Sequence, residues 1–172
     1  MPANPLAPER LRVPADANAL APGVWPASAR RNADGMLEIA GVSAGALVAE
    51  FGTPVYVVDE DDVRARARAT REAFEAALAP AGASVRVYYA GKAFLCTEVA
   101  HWVSEAGLGI DVASGGELAV ALAAGVDPAR IGVHGNNKSL AEIDAAVRAG
   151  VGAIVVDSAI EVERIAAAAA EH

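Results

Sequence analysis

Four side chains in the middle of this 172-residue chain have the types and spacing of a chemical site: Lys92, Asp111, His134 and Asn136. Val85 to Ala90 is a β-favouring run, and Gly91 breaks it. Phe94, Leu95, Val99, Trp102 and Val103 then recur at helical spacing up to Gly107. Lys92 therefore stands at the carboxyl end of a strand, just before a helix. An amine held there among apolar neighbours loses hydration, which favours its neutral form and lets it attack a carbonyl. The plainer reading is a lysine laid along a loop surface. Asp111 offers a carboxylate that would favour a nearby cation, or else a cap at the start of the next helix. His134 and Asn136 offer an imidazole and an amide. A lone histidine after an apolar strand is also the common form of a hydrogen-bonded structural group. No second ligand stands at metal spacing from it, so no metal site is expected.

These groups need elements that bring them to one place. Strand ends near Lys92, Asp111, His134 and Asp157 recur roughly every twenty residues, each followed by a helical pattern. Ser114 with Glu117, Ser139 with Glu142 and Ser158 with Glu161 each read as a capping box, Ser-x-x-Glu. Gly107, Gly125 and Gly150 stand where the helices should stop. Short apolar strands alternating with capped helices predict βαβ units and a parallel sheet, with right-handed crossovers bringing the strand-end loops to one face. A closed barrel of this kind needs eight units and typically about 250 residues. The fold expected is thus α/β: a partial (β/α)8 TIM barrel of about four βα units with an extended N-terminal arm. A small, complete open α/β sheet is the alternative.

Upstream, residues 1–30 carry Pro2, Pro5, Pro8, Pro14, Pro22 and Pro26 without sustained periodicity and read as the arm, with Leu20 to Trp25 as its apolar patch. Residues 31–60 read as a strand and helix segment leading into the barrel. It has a turn over Asn32 to Gly35, a strand from Met36 to Ile39, a helix from Ser43 to about Phe51, and a second apolar strand from Pro54 to Asp59. Residues 61–172 read as the barrel half. They begin with an amphipathic helix from Asp61 to Leu78 whose buried stripe should be Val63, Ala67, Phe74 and Leu78.

Composition narrows the function classes. The net charge of −8 leaves no cationic stripe to neutralise phosphates, so nucleic acid is not an expected partner. Arg64, Arg66, Arg68 and Arg71 are offset by Asp59, Glu60, Asp61, Asp62, Glu72 and Glu75, which makes them a solvated helix face. No apolar run reaches membrane-spanning length, and the amino terminus lacks an apolar targeting core. The single cysteine, Cys96, allows no internal disulfide and suits a reducing cytoplasm. It reads as a small buried hydrophobe rather than a nucleophile. Asn137-Lys138-Ser139 forms a glycosylation sequon with no secretory context. Gly115-Gly116 at a helix start suits close packing more than anion binding, and His101 reads as a surface or packing residue.

Three stretches carry a family resemblance: Tyr89-Ala90-Gly91-Lys92-Ala93-Phe94, Asp111-Val112-Ala113-Ser114-Gly115-Gly116-Glu117-Leu118 and His134-Gly135-Asn136-Asn137-Lys138-Ser139. In order and spacing they resemble the diaminopimelate decarboxylases, pyridoxal-phosphate enzymes with the alanine-racemase type of barrel. The resemblance runs from about Leu20 to the last residue. It implies decarboxylation of meso-2,6-diaminopimelate to L-lysine, with Lys92 as the catalytic lysine that anchors pyridoxal 5'-phosphate. Asp111 and His134 would line the cofactor pocket, with Asn136 in support. It also implies an amino-acid substrate, a homodimer and a cytoplasmic enzyme of lysine biosynthesis. The family's phosphate loop, its pyridine-nitrogen acid, its substrate-carboxylate binders and its C-terminal β domain have no counterpart in this stretch, which therefore reads as an inactive amino-terminal portion. A related ornithine or arginine decarboxylase and a non-catalytic pyridoxal-phosphate-binding barrel are the alternatives.

Overall fold

The structure, a computed structural model, describes Asp16, residues 18–21 and residues 23–172. Residues 1–15, 17 and 22, and with them most of the expected arm, lie outside the described residues. Its contacts group into two units, divided between Asp59 and Glu60.

The first unit is built on a small antiparallel sheet of β1 (Arg30–Arg31), β2 (Leu37–Ile39) and β3 (Val42–Ser43), in that order. The expected Asn32–Gly35 turn is present, and the Asn32 side chain holds it by accepting the N–H groups of Asp34 and Met36. Ser43 caps α1 (Ala44–Phe51), its hydroxyl accepting the Ala46 N–H. The strand expected over residues 54–59 does not form a ladder. Val55, Tyr56, Val57 and Val58 are exposed, Tyr56 by 95%. β-favouring side chains make a strand only where a neighbouring strand takes their backbone groups, and none does so among the described residues.

The second unit begins with α2 (Glu60–Leu78), whose first turn holds Glu60, Asp61 and Asp62, the charge that favours a helix N-terminus. The arginine face is only partly solvated: Arg66 pairs with Asp62 one turn away and is half exposed, whereas Arg64, 22% exposed, pairs with Glu60 and also with Glu105 of the next helix at 2.6 Å. The buried stripe is shorter than expected. Ala67 packs with Ala106 and Leu108 and Leu78 is half-buried, but Phe74, two turns on from Ala67, is 52% exposed. Four βα units follow: β4 (Tyr88–Ala90) with α3 (Thr97–Glu105), β5 (Gly109–Val112) with α4 (Gly115–Ala123), β6 (Ile131–Val133) with α5 (Leu140–Ala149), and β7 (Ala153–Ile154) with α6 (Ala159–Glu171). The strands form one parallel sheet in the order β4-β5-β6-β7, each beside its predecessor in sequence.

One face of this sheet makes the core. Ile110, Val112, Ile131 and Val133 are buried against Val99, Ala100 and Val103 of α3, Leu118 and Ala121 of α4, and Ala146 of α5. Each valine, leucine or isoleucine among them contributes about 1.5–3 kcal/mol when taken fully out of water. The helices stop where the glycines predicted. Gly150 caps α5 at φ 71°, a left-handed conformation that a Cβ disfavours. Two of the three expected caps bond as expected in part or whole: Ser114 accepts the Glu117 N–H, and Ser139 with Glu142 forms the full reciprocal box. Among the described residues Ser158 makes no side-chain cap, and Glu161 turns to other partners described below. Among the described residues no helix is long and apolar enough to cross a membrane.

Candidate active site

Parallel pairing sets Ala90 of β4 beside Asp111 of β5, and Asp111 beside Gly132 of β6. Paired residues of a parallel sheet project to the same side, and side chains alternate along each strand. The face opposite the core therefore carries Tyr88, Ala90, Gly109, Asp111 and Gly132. His134 follows just past β6, its N–H still bonded to the Val112 carbonyl at 2.8 Å. The Tyr88 ring lies across the glycines: a Cβ built on Gly109 would meet its Cε1 at 2.6 Å, and one on Gly132 at 3.6 Å. The ring and the Arg130 carbonyl leave no room for a side chain at Gly109, Gly132 lies in ordinary contact with the ring, and the ring forms an aromatic floor. Above the floor, at the carboxyl ends of the strands, are the polar groups.

His134 Nε2 lies 3.4 Å from Asp111 Oδ2, with the two side chains 24% and 33% exposed. Nε2 is itself buried and makes no hydrogen bond, so the contact is a charge-compatible approach that leaves the nitrogen unsatisfied. Lys92 occupies the single 3-10 turn Gly91–Ala93 that follows β4. The turn leans on the strand carrying Asp111, since a Cβ on Gly91 would come within 3.0 Å of the Asp111 carbonyl oxygen. The Tyr89 hydroxyl closes the turn by donating to the Phe94 carbonyl at 2.7 Å. Lys92 is exposed, and no hydrogen bond or ion pair engages its amine among the described residues. The apolar cover expected around it is not supplied, because the turn opens on the rim and Phe94 is itself 50% exposed. Asn136 is exposed in the loop after His134. The structure thus brings Lys92, Asp111 and His134 to one rim, with Asn136 two residues along. Cys96 is half-buried at the start of α3, and His101 pairs with Glu105 on the surface.

Three glutamates on this rim do more than the capping pattern foretold. Glu117 Oε2 accepts the Ala113 N–H at 2.7 Å. Glu142 accepts the Ser139 N–H at 2.9 Å with one oxygen, and with the other the Gly115 N–H of the preceding loop, also at 2.9 Å. Those backbone donors hold the Glu142 carboxyl below its ordinary range. Glu161 Oε2 accepts the Asp157 N–H at 2.9 Å and the Lys138 ammonium at 3.0 Å, which lowers its carboxyl in turn. The Ser-x-x-Glu pattern signals the helix starts but not this reach into the preceding loop. Tyr88 had a legible signal: a glycine inside each of two successive strands marks close approach by another group.

Pyridoxal phosphate presents an aldehyde and a flat pyridine ring, and the residues fit both. An unengaged amine stands at the rim, and above Tyr88 the small Ala90 and Gly132 leave the face shallow. His134 Nε2 is a buried polar atom that makes no hydrogen bond among the described residues. Among the described residues no group of three or more His, Cys, Asp or Glu could hold a metal ion.

Comparison with known proteins identifies the family. Residues 60–172 match the family described as pyridoxal-dependent decarboxylase, pyridoxal binding domain. The chain is 55% identical over 152 residues to diaminopimelate decarboxylase of Mycobacterium tuberculosis, a match covering 88% of this chain and 32% of that protein. It is 51% identical over 164 residues to the Mycobacterium leprae enzyme, covering 95% and 33%. The crystal structure of diaminopimelate decarboxylase from M. jannaschii in co-complex with L-lysine superposes with a TM-score of 0.75 at 33% identity, over 85% of this chain and 33% of that one. The chain thus spans about a third of the length of the relatives it matches. Its four parallel strands and their helices are part of a (β/α)8 barrel.

Proposed function

Since the chain belongs to the pyridoxal-dependent decarboxylases, through their pyridoxal-binding domain, we propose that it forms the cofactor-binding wall of a decarboxylase converting meso-2,6-diaminopimelate to L-lysine. The observation that carries the site assignment is the unengaged Lys92 amine on the same rim as His134, whose buried Nε2 faces Asp111 without a hydrogen bond. When bound, pyridoxal phosphate supplies the electron sink that decarboxylation of an amino acid requires.

The chain's own groups then have separate tasks. Lys92 would hold the cofactor through its amine, and its exposure on a short turn would leave that amine free to carry a proton. Asp111 presents a carboxylate that favours positive charge on its side of the site. His134 would help hold and orient the cofactor, with Asn136 supporting the same loop. The Tyr88 floor keeps water from beneath. Residues 61–172 act as the first half of the barrel, and residues 31–60 lead into it. The homodimer and the cytoplasmic setting belong to this proposal as well, on the strength of the family.

The test uses the full protein with pyridoxal phosphate. Borohydride reduction followed by mass spectrometry should find the pyridoxyl mass on the peptide of Lys92. Release of carbon dioxide should be fastest from diaminopimelate. Faster release from ornithine or arginine would move the substrate assignment, and label on Lys138 would overturn the site.

A further inference from the structure

Lys138 and Glu161 form a buried ion pair, Nζ to Oε2 at 3.0 Å with both side chains only 3% exposed, and nothing in the proposed chemistry uses it. A buried charge pair is costly to assemble and is kept where it fixes a geometry. The remaining bonds show which geometry. Lys138 Nζ also donates to the Gly135 carbonyl at 2.5 Å, and Glu161 Oε2 also accepts the Asp157 N–H at 2.9 Å. The pair therefore ties the loop after β6 to the loop after β7.

Gly135 immediately follows His134. Its φ of 112° is a conformation other residues resist, so the chain turns sharply at that point. The backbone of His134 is consequently held from both sides: below by its own N–H on the Val112 carbonyl, above by the Gly135 carbonyl on Lys138. The imidazole has no comparable support, since Nε2 makes no hydrogen bond. Its direction toward Asp111 is set by the backbone that carries it.

We propose that the Lys138–Glu161 pair is a positioning latch: it fixes the His134–Gly135 turn and so holds the His134 ring against Asp111 for the cofactor. The proposal rests on the assignment of His134 to the cofactor site. It gives Lys138, the only other lysine in the chain, the role of orienting a residue assigned to the cofactor site.

The test is made in the full protein, with the His134 ring resonance assigned by its loss in His134→Asn. Replacing the pair together, Lys138→Met with Glu161→Met, removes the latch while keeping its volume and leaving no unpaired charge. The expected result is a folded protein that still takes the pyridoxyl label on Lys92. Its His134 resonance should be shifted or broadened while those of His101 and His172 stay put, and its pyridoxal phosphate affinity should fall on the order of tenfold, as for outer supporting groups of other bound centres. An unchanged His134 resonance and unchanged affinity would overturn the latch. Should the double variant fail to fold, Glu161→Asp keeps the charge but draws the ammonium along by one methylene. It must then move the His134 resonance, and a resonance that stays in place overturns the proposal equally. The underlying assignment is read separately: adding pyridoxal phosphate to the parent protein should shift the His134 resonance. If it does not, the cofactor assignment falls, whatever the latch variants do.

Discussion

The Tyr89 hydroxyl bonds the Phe94 carbonyl oxygen across the turn that carries Lys92, at 2.7 Å. Burial pushes the phenol up, so it remains a donor throughout the neutral range. The ring also packs on the core, which makes Tyr89 a bridge between the hydrophobic interior and the amine-bearing turn. Tyr89→Phe keeps the packing and deletes only the bond, at a stability cost of about 1 kcal/mol. The labelling rate of Lys92 by pyridoxal phosphate and borohydride should fall severalfold while chemical denaturation shows the small loss. An unaltered labelling rate would mean the turn needs no clasp.

Lys92 itself is exposed and fills no core volume. Lys92→Ala and Lys92→Arg should therefore fold with the parent's thermal midpoint, and neither should retain a pyridoxyl mass after reduction. Guanidinium stays protonated and cannot condense with the aldehyde. Lys138, buried and engaged twice, should not take over. Intact-mass spectrometry after reduction decides this.

Gly109 sits under Tyr88 and against the Arg130 carbonyl, which a Cβ would approach to 2.7 Å. Gly109→Ala should destabilise the protein by about 1–3 kcal/mol, the usual range for forced overpacking. Shortening Tyr88 to alanine in the same protein should not rescue it, because the backbone oxygen remains. Full rescue, measured by urea unfolding, would place the conflict on the ring alone.

Acid should loosen the rim before the core. The Glu142 carboxyl is held low by the Ser139 and Gly115 N–H groups, and the Glu161 carboxyl by the Asp157 N–H and Lys138. A group whose folded pKa is depressed gives its stabilisation in full above its unfolded value of about 4.3, and loses it as pH falls through the lower folded value. Thermal midpoints should thus be flat above about pH 5 and fall below about pH 4. Glu142→Gln should start lower at neutral pH and fall less steeply. Parallel curves for the two proteins would exclude Glu142 from the acid transition.

The exposed run Val55 to Val58 is apolar and unpaired among the described residues, the setting in which a strand recruits a partner. Concentration-dependent association of the 172-residue chain should follow, and Val57→Lys should reduce it. Sedimentation velocity that is the same at all concentrations would remove the expectation.

Much of this was legible in the residues. The glycines that end the helices, the apolar strands and the strand-end positions of Lys92, Asp111 and His134 are local signals, and the fold places them as their periodicity implies. What was not legible depends on partners distant in sequence. Ser158-x-x-Glu161 has the pattern of a cap, yet Glu161 serves a lysine 23 positions earlier. Val55 to Val58 has the composition of a strand, but a ladder needs a neighbour that composition does not reveal. Phe74 keeps helical spacing with Ala67 but is 52% exposed.

The glutamates that grip a preceding loop also bear on how this rim can change over evolutionary time. Glu142 takes the N–H of Gly115, where the loop after β5 enters α4, and Glu161 takes the ammonium from the loop after β6. A residue inserted into either loop would shift its own grip and its neighbour's together. Lengthening one loop therefore demands compensation in the next.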